Sequence, residues 1–352
     1  MDNSNRGPLD AMLSRRDVIR GAMVGTAGLS IMGLAACGDD STSSSNGGGG
    51  SAGVYNGVFA APNFTALVMT LPLHIADVKG YFRANRLNLK VQSFAMGTDA
   101  VRAIATTSKM GVAAVFPGVI AYASGMTRLK MVGTALLPNA LVFVVKPDSG
   151  IETVADLKGK KVGIQSATSN VAYAAVKMLE GAGLTRDDVE FVNTKSIPDT
   201  LTALDNGVID CGFSAAPLST QGEADGKIRV LWAWATSDAP KVTESGVFVD
   251  SDFLESDRDV VRRFLKSIAQ GQQFIGANPQ EAAEIYSKDY KVELTTAQLV
   301  LGTYAGGYQL PIDREGVELN FEAARSVGLL TRDIAYEEFV DDRIADEALA
   351  SI

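Results

Sequence analysis

One histidine, His74, and two cysteines, Cys37 and Cys211, are the only imidazole and thiol groups in 352 residues. So few cannot form a His/Cys cluster with metal-ligand spacing, and they remove most triad chemistry. The chain holds no nucleophile motif, no phosphate-cradling loop and no metal set, which points to binding rather than turnover. No cofactor, no metal and no catalytic residue are expected. The acidic pairs Asp187-Asp188, Glu337-Glu338 and Asp341-Asp342 fall in solvated stretches and serve solubility. What remains is a set of small hydroxyl and amide side chains where strands give way to helices. Ser166-Ala167-Thr168-Ser169-Asn170 is the strongest of these, because hydroxyls just before a helix can cap it or donate to a ligand.

The elements that position these residues alternate in character. From Val54, strand-like runs (Val54–Ala60, Leu87–Phe94, Met110–Phe116, Leu129–Ala135) are separated by helix-like ones (Pro72–Tyr81, Thr98–Thr107, and one opened by Pro117). Thr98 reads as an N-cap with Asp99 favourable in the first turn. The pattern restarts at Leu141–Lys146. It continues through strands Lys161–Gln165, Val189–Asn193, Val208–Phe213 and Ile228–Trp234, with helices Ser169–Glu180, Ile197–Leu204 and Leu218–Ala224 between them. This β-α-β grammar predicts parallel sheets with helices on both sides, in two similar α/β units placed in tandem. After Val247–Val249 the chain turns helical. Val260, Val261, Phe264, Leu265 and Ile268 form one apolar stripe that should pack on a sheet.

Ligands of such sheets sit beyond the carboxyl ends of the strands. That rule selects Asn63, Thr70, Leu71, Gly97, Thr98, Phe116 and Pro117 in the first unit. In the second it selects Gln165, Ser166, Thr168, Ser169, Asn170, Ser214, Ala215 and Pro217. No lysine or arginine falls on these junctions, although a guanidinium fork is the usual partner of a strong oxyanion. Phe64, Leu67, Val68 and Met69 add apolar surface near the mouth. His74 reads as a surface or half-buried histidine, and Trp232 and Trp234 as packing residues. Cys211 sits in an apolar context and reads as a buried packing cysteine.

The N-terminal segment carries an address. Ser14-Arg15-Arg16-Asp17 precedes a small-residue apolar run, Gly21 to Leu34, that is too short and too rich in Gly and Ala to span a bilayer well. Arg15 and Arg16 mark a twin-arginine export signal; a general secretory signal with a basic start is the alternative. Leu34-Ala35-Ala36-Cys37-Gly38 resembles the lipobox of bacterial lipoproteins, which implies cleavage after residue 36 and lipidation of Cys37. Residues 37–53, rich in Ser and Gly, read as a flexible tether. The formal charge of −9 argues against nucleic acid as a partner.

Three segments carry a family resemblance: Leu71-Pro72-Leu73-His74-Ile75-Ala76-Asp77-Val78-Lys79-Gly80-Tyr81-Phe82; Val145-Lys146-Pro147-Asp148-Ser149-Gly150-Ile151 with Ala155-Asp156-Leu157-Lys158-Gly159-Lys160; and Ala203-Leu204 with Gly207-Val208-Ile209-Asp210. In them the chain resembles the substrate-binding proteins of bacterial ABC importers, in the branch of nitrate, taurine and alkanesulfonate binders and NMT1/THI5-like proteins. The resemblance implies an α/β, two-lobed periplasmic-binding-protein-like fold of type II, each lobe a mainly parallel sheet flanked by helices, with the ligand cleft between them. Lobe one would be 54–140 plus 245–352 and lobe two 141–244, with hinge crossings near Leu136–Leu141 and Thr243–Val247.

The implied function is a lipid-anchored, monomeric solute receptor outside the cytoplasm. It would close on a small organic or oxyanion solute (sulfonate, taurine or nitrate) and deliver it to a membrane permease with its ATPase. A neutral, aromatic or pyrimidine-like solute, such as a thiamine or riboflavin precursor, is the alternative. Two other classes stay open: a sensor lipoprotein, and a pyrimidine synthase of the THI5 kind. The second is disfavoured, because the resemblance ties that chemistry to iron, a consumed histidine and a cysteine-rich segment.

Overall fold

The computed structural model describes residues 53–63, 67–137, 140–167, 169–330 and 332–352. The expected signal segment with Arg15 and Arg16, the lipidation residue Cys37, and the loop and junction residues Phe64 and Thr168 lie outside the described residues.

Two five-stranded sheets form among the described residues. The first holds β1 (Tyr55–Pro62), β2 (Leu87–Phe94), β3 (Met110–Ala114), β4 (Leu129–Leu136) and a late strand that follows the second sheet in sequence. The second holds β5 (Leu141–Val145), β6 (Lys161–Ile164), β7 (Glu190–Asn193), β8 (Cys211–Ala215) and β9 (Arg229–Ala233). The late strand is β10 (Ser245–Asp250). Strand orders are β2-β1-β3-β10-β4 and β7-β6-β8-β5-β9, so the two sheets share one topology. The fold is therefore α/β and two-lobed, as the resemblance implied.

One strand in each sheet runs against the rest. β10 is antiparallel to β3 and β4, and β5 is antiparallel to β8 and β9. The β1–β2, β1–β3, β6–β7 and β6–β8 pairs are parallel. The sheets are thus mixed, and the reason lies in the connections. β5 and β10 are the first strands after the chain passes from one lobe to the other. Each enters at the edge where its new neighbours end, so it must run the opposite way. The sequence pattern of alternating strands and helices carries no sign of this reversal.

Apolar stripes explain the helix packing. In helix Arg258–Ala277 the stripe Val260, Val261, Phe264, Leu265 and Ile268 is buried, and the Phe264 ring lies 5.8 Å from Phe59 and 5.7 Å from Phe82. Gly271 lets this helix meet helix Leu71–Val78 closely; a Cβ there would run into the Pro72 carbonyl oxygen. Cys211 is buried in β8, and burial pushes its thiol well above the usual range, as suits a packing residue.

Three local expectations need correction. The apolar run Met110–Phe116 is not one strand: it becomes helix at Val115, because an apolar run does not distinguish a buried strand from a buried helix start. Phe116 and Pro117 therefore lie in the first turn of helix Val115–Ala123, where the missing proline N–H has no intrahelical partner to lose. Thr98 is not an N-cap. Met96 holds that position, and Thr98 is the second residue of helix Gly97–Ala103. The strand expected over Val208–Phe213 begins only at Cys211, after Gly207 at φ 68° and an exposed Val208.

Candidate functional site

A cavity of about 320 Å³ opens where the ends of both sheets converge, and it sits at the low end of the range for small-molecule sites. Every strand that ends at the cavity contributes its last residues or the turn beyond. β1 gives Pro62 and Asn63, β2 leads to Ala95 and Gly97, and β3 gives Ala114. From the other lobe, β6 leads to Gln165, Asn170 and Val171, β7 to Ser196, Ile197 and Pro198, and β8 gives Phe213, Ala215, Ala216 and Leu218. The reversed strands contribute their starts, through Ala140 with Leu141 and through Glu244. Leu67, Val68 and Met69 form an apolar wall, fixed from behind by the Tyr308 hydroxyl, which donates to the Val68 carbonyl at 2.7 Å.

Asn63 adopts φ 40°, a left-handed conformation that asparagine tolerates better than most residues. Its Nδ2 donates to the Ala95 carbonyl at 3.1 Å, and its backbone amide donates to Phe94 at 2.8 Å. The β1 and β2 exits are thereby tied into one cavity edge.

The expected site residues divide into three groups. Asn63, Gly97, Gln165, Asn170 and Ala215 line the cavity. Ser166, Ser169, Thr98, Ser214 and Pro217 stand beside it without lining it. The Ser169 hydroxyl is fully engaged as a cap: it accepts from Ala172 N at 3.2 Å and donates to the Ser166 carbonyl at 2.7 Å. Thr70, Leu71, Phe116 and Pro117 are buried in packing instead. Thr70 Oγ1 donates to the Leu67 carbonyl at 2.7 Å and meets the Tyr290 hydroxyl at 3.3 Å. The Phe116 ring stacks on Tyr173, at 5.5 Å between centroids, and joins the two lobes behind the cavity.

The packing residues fall away from the cavity. His74 is buried, not at the surface or half-buried as expected, and its Nε2 meets Asp289 Oδ2 at 2.7 Å. Trp234 is buried with its indole N–H on the Pro240 carbonyl at 3.0 Å. Trp232 lies against Phe143 at 6.1 Å.

Sequence reasoning missed two contributors. Ser196 caps helix Ile197–Asp205, accepting from Asp199 N at 3.2 Å while donating to Asp199 Oδ2 at 2.6 Å. Its signal was legible: Ser-Ile-Pro-Asp sets a cap, an early proline and a first-turn acid in order. Glu244 is the other. It is the only titratable side chain among the described lining residues, and no Lys, Arg or His accompanies it. Its Oε2 accepts from the Ala140 backbone N–H at 2.8 Å. Burial pushes its carboxyl up to about 8, partly offset by that hydrogen bond. Its backbone carbonyl accepts from Val115 N at 2.9 Å, and the preceding Thr243 is held by Asn320, whose Nδ2 donates to the Thr243 carbonyl at 3.1 Å.

A family model described as NMT1/THI5 like matches residues 69–282, well over half of the chain. The chain belongs to the NMT1/THI5-like family. Among curated relatives, the riboflavin-binding protein RibY of Chloroflexus aurantiacus is 24% identical over 234 residues, covering 65% of each chain. The taurine-binding periplasmic protein of Escherichia coli is 28% identical over 195 residues, 53% of this chain and 58% of that one. The fold is that of the alkanesulfonate-binding protein SsuA from Xanthomonas axonopodis, solved with MOPS, at a TM-score of 0.72 and 18% identity, covering 83% of this chain and all of that one. The family fold also carries enzymes. A 4-amino-5-hydroxymethyl-2-methylpyrimidine phosphate synthase of Candida albicans is 23% identical over 239 residues, 62% of this chain and 67% of that one.

Proposed function

We propose that this protein is the extracytoplasmic solute-binding component of an ABC importer. It captures a small organic solute in the cavity between its lobes and presents it to a membrane permease. The observation that carries this reading is the composition of the cavity wall, to which both sheets and both crossings contribute. A solute held there contacts both lobes at once, so it stabilises their approach, which is how a hinge receptor turns binding into closure. The wall is mostly apolar with a few amide, hydroxyl and carboxyl groups, which favours an organic solute with an apolar body over a bare inorganic oxyanion such as nitrate.

Binding is favoured over turnover for a chemical reason. General acid–base catalysis on a bound molecule uses groups with separated pKa values, and the described lining offers one titratable side chain. Among the described residues no group of three or more His, Cys, Asp or Glu is placed to hold a metal ion. The twin arginines and Cys37 support export and lipid anchoring of a monomeric receptor, with residues 37–53 as its tether and the crossings near Leu136–Leu141 and Thr243–Val247 as its hinge.

A thermal-shift screen tests the reading. Sulfonates, nitrate, pyrimidines and flavins are added in turn to the purified protein. At a ligand concentration 100 times Kd, the native state gains about 2.7 kcal/mol and melts higher. A tryptophan placed at Ala215 should abolish the shift by filling the cavity. A shift that survives that plug would locate the solute elsewhere and refute the proposal.

A further inference from the structure

We infer that Glu244 is the specificity-determining residue of the cavity: its carboxyl accepts an N–H donor from the solute, and it selects against solutes that offer only oxyanion oxygens. The inference rests on the reading of the cavity as the solute site, and goes beyond it by naming what the solute must present. Three observations carry it. Glu244 lines the cavity from the crossing that leads into β10. One of its oxygens takes the Ala140 N–H at 2.8 Å, on the other crossing, so the side chain is held at the wall rather than free to swing into solvent. No lysine, arginine or histidine stands among the described lining residues to neutralise it.

A carboxyl oxygen retains acceptor capacity after one hydrogen bond. In a desolvated cavity an acceptor left unpaired is costly, whereas one met by N–H is favourable, and more so when the acceptor carries charge. An amine, amidine, amide or aminated heterocycle supplies that partner. A sulfonate supplies none, and once Glu244 is ionised it would bring a second negative charge next to that carboxylate without a cation to offset it. The starts of helices Asn170–Gly181 and Ile197–Asp205 also line the cavity, and their partial positive charge suits an acceptor atom on the same solute. The favoured solute therefore carries an N–H donor for Glu244 and an uncharged acceptor for the helix starts.

Fragment titrations by ligand-observed NMR at pH 9, where Glu244 is ionised, test this with four probes of one shape: benzamide, acetophenone, benzamidine and benzenesulfonate. Benzamide and acetophenone differ in an amino group against a methyl. The wild type should bind benzamide and benzamidine at least tenfold more tightly than acetophenone and benzenesulfonate. Glu244→Leu should erase the preference of benzamide over acetophenone. Glu244→Gln, which keeps an oxygen for the Ala140 amide, should lose most of the benzamidine affinity while retaining the wild-type fold by circular dichroism. Benzenesulfonate binding as tightly as benzamide, or a preference unchanged in both variants, overturns the inference. The Ala215→Trp plug separates the two levels. Binding that survives the plug refutes the cavity as the solute site; binding lost to the plug but indifferent to Glu244 refutes only its selective role. Failure of all four probes to bind overturns both.

Discussion

The Glu244 carboxyl and the Ala140 backbone N–H meet at 2.8 Å, and each belongs to a different crossing between the lobes. The two crossings are thus joined by one side chain that also faces the cavity. Because burial raises this carboxyl to about 8, the folded protein holds its proton where an unfolded chain, with an ordinary glutamate, has lost it. The folded state then binds more protons than the unfolded state between about pH 4.5 and pH 8, so stability falls as pH rises through that window. The neighbouring titratable groups are Tyr304 and Tyr308, both raised by burial and by Glu244 itself, and they stay neutral throughout it. The apo protein should melt lower at pH 8 than at pH 5. Glu244→Gln should flatten this part of the profile, measured by calorimetry across the range; an unchanged slope in the variant would place the titrating group elsewhere.

Gly271 makes a separate claim about the lobe-one core. Helix Arg258–Ala277 crosses helix Leu71–Val78 where a Cβ at Gly271 would collide with the Pro72 carbonyl oxygen. Backbone cannot yield as a flexible side chain does, so the helices must part and their shared apolar contacts loosen. Gly271→Ala should therefore destabilise the protein by about 1–3 kcal/mol despite the higher helix propensity of alanine. Gly276, on the same helix with open space around it, is the control: Gly276→Ala should leave stability unchanged or raise it. Urea unfolding of both variants reads the difference.

The tandem units were legible because each repeats strand, helix and strand with recognisable turn residues, and the apolar stripe of Val260 to Ile268 could only face a core. The reversal of β5 and β10 was not legible, since strand direction depends on where the chain enters a sheet and leaves no trace in local periodicity. The junction rule found Asn63, Gly97, Gln165, Asn170 and Ala215 because the ends of parallel strands converge. It also selected Thr70 and Phe116, where the helix begins a residue or two earlier than the pattern suggests and the side chain turns into packing. Glu244 escaped because a rule about the ends of parallel strands passes over the start of a reversed one. The same geometry that reversed β10 placed that carboxyl in the cavity.

Cys37 follows Leu34-Ala35-Ala36 in the lipobox-like segment and precedes a tether with no large apolar side chain to hold it on a membrane. Under the proposed lipidation of Cys37, attachment depends on the lipid alone. Cys37→Ser, expressed in a bacterium that processes lipoproteins, should move the protein from the membrane fraction to the soluble one. Replacing Arg15 and Arg16 by lysines should block export and leave precursor in the cytoplasm if the twin-arginine route is used. Retention of the Cys37→Ser protein on membranes after a carbonate wash would refute the lipid anchor.

Ser169 and Asn170 are adjacent, yet they should respond differently to alanine. Ser169 is 4% exposed and its hydroxyl is spent on the helix: it accepts from Ala172 N and donates to the Ser166 carbonyl. Ser169→Ala removes a cap, which costs about 1 kcal/mol of stability. Asn170 lines the cavity as the first residue of the helix, where its amide can reach a solute. Asn170→Ala should leave the melting temperature nearly unchanged and weaken binding of the solute found by the thermal-shift screen by roughly tenfold, the value of one hydrogen bond in a desolvated site. Melting curves and isothermal titration of the two variants separate the roles. A loss of affinity in Ser169→Ala larger than in Asn170→Ala would mean that the cap, and not the neighbouring amide, holds the solute.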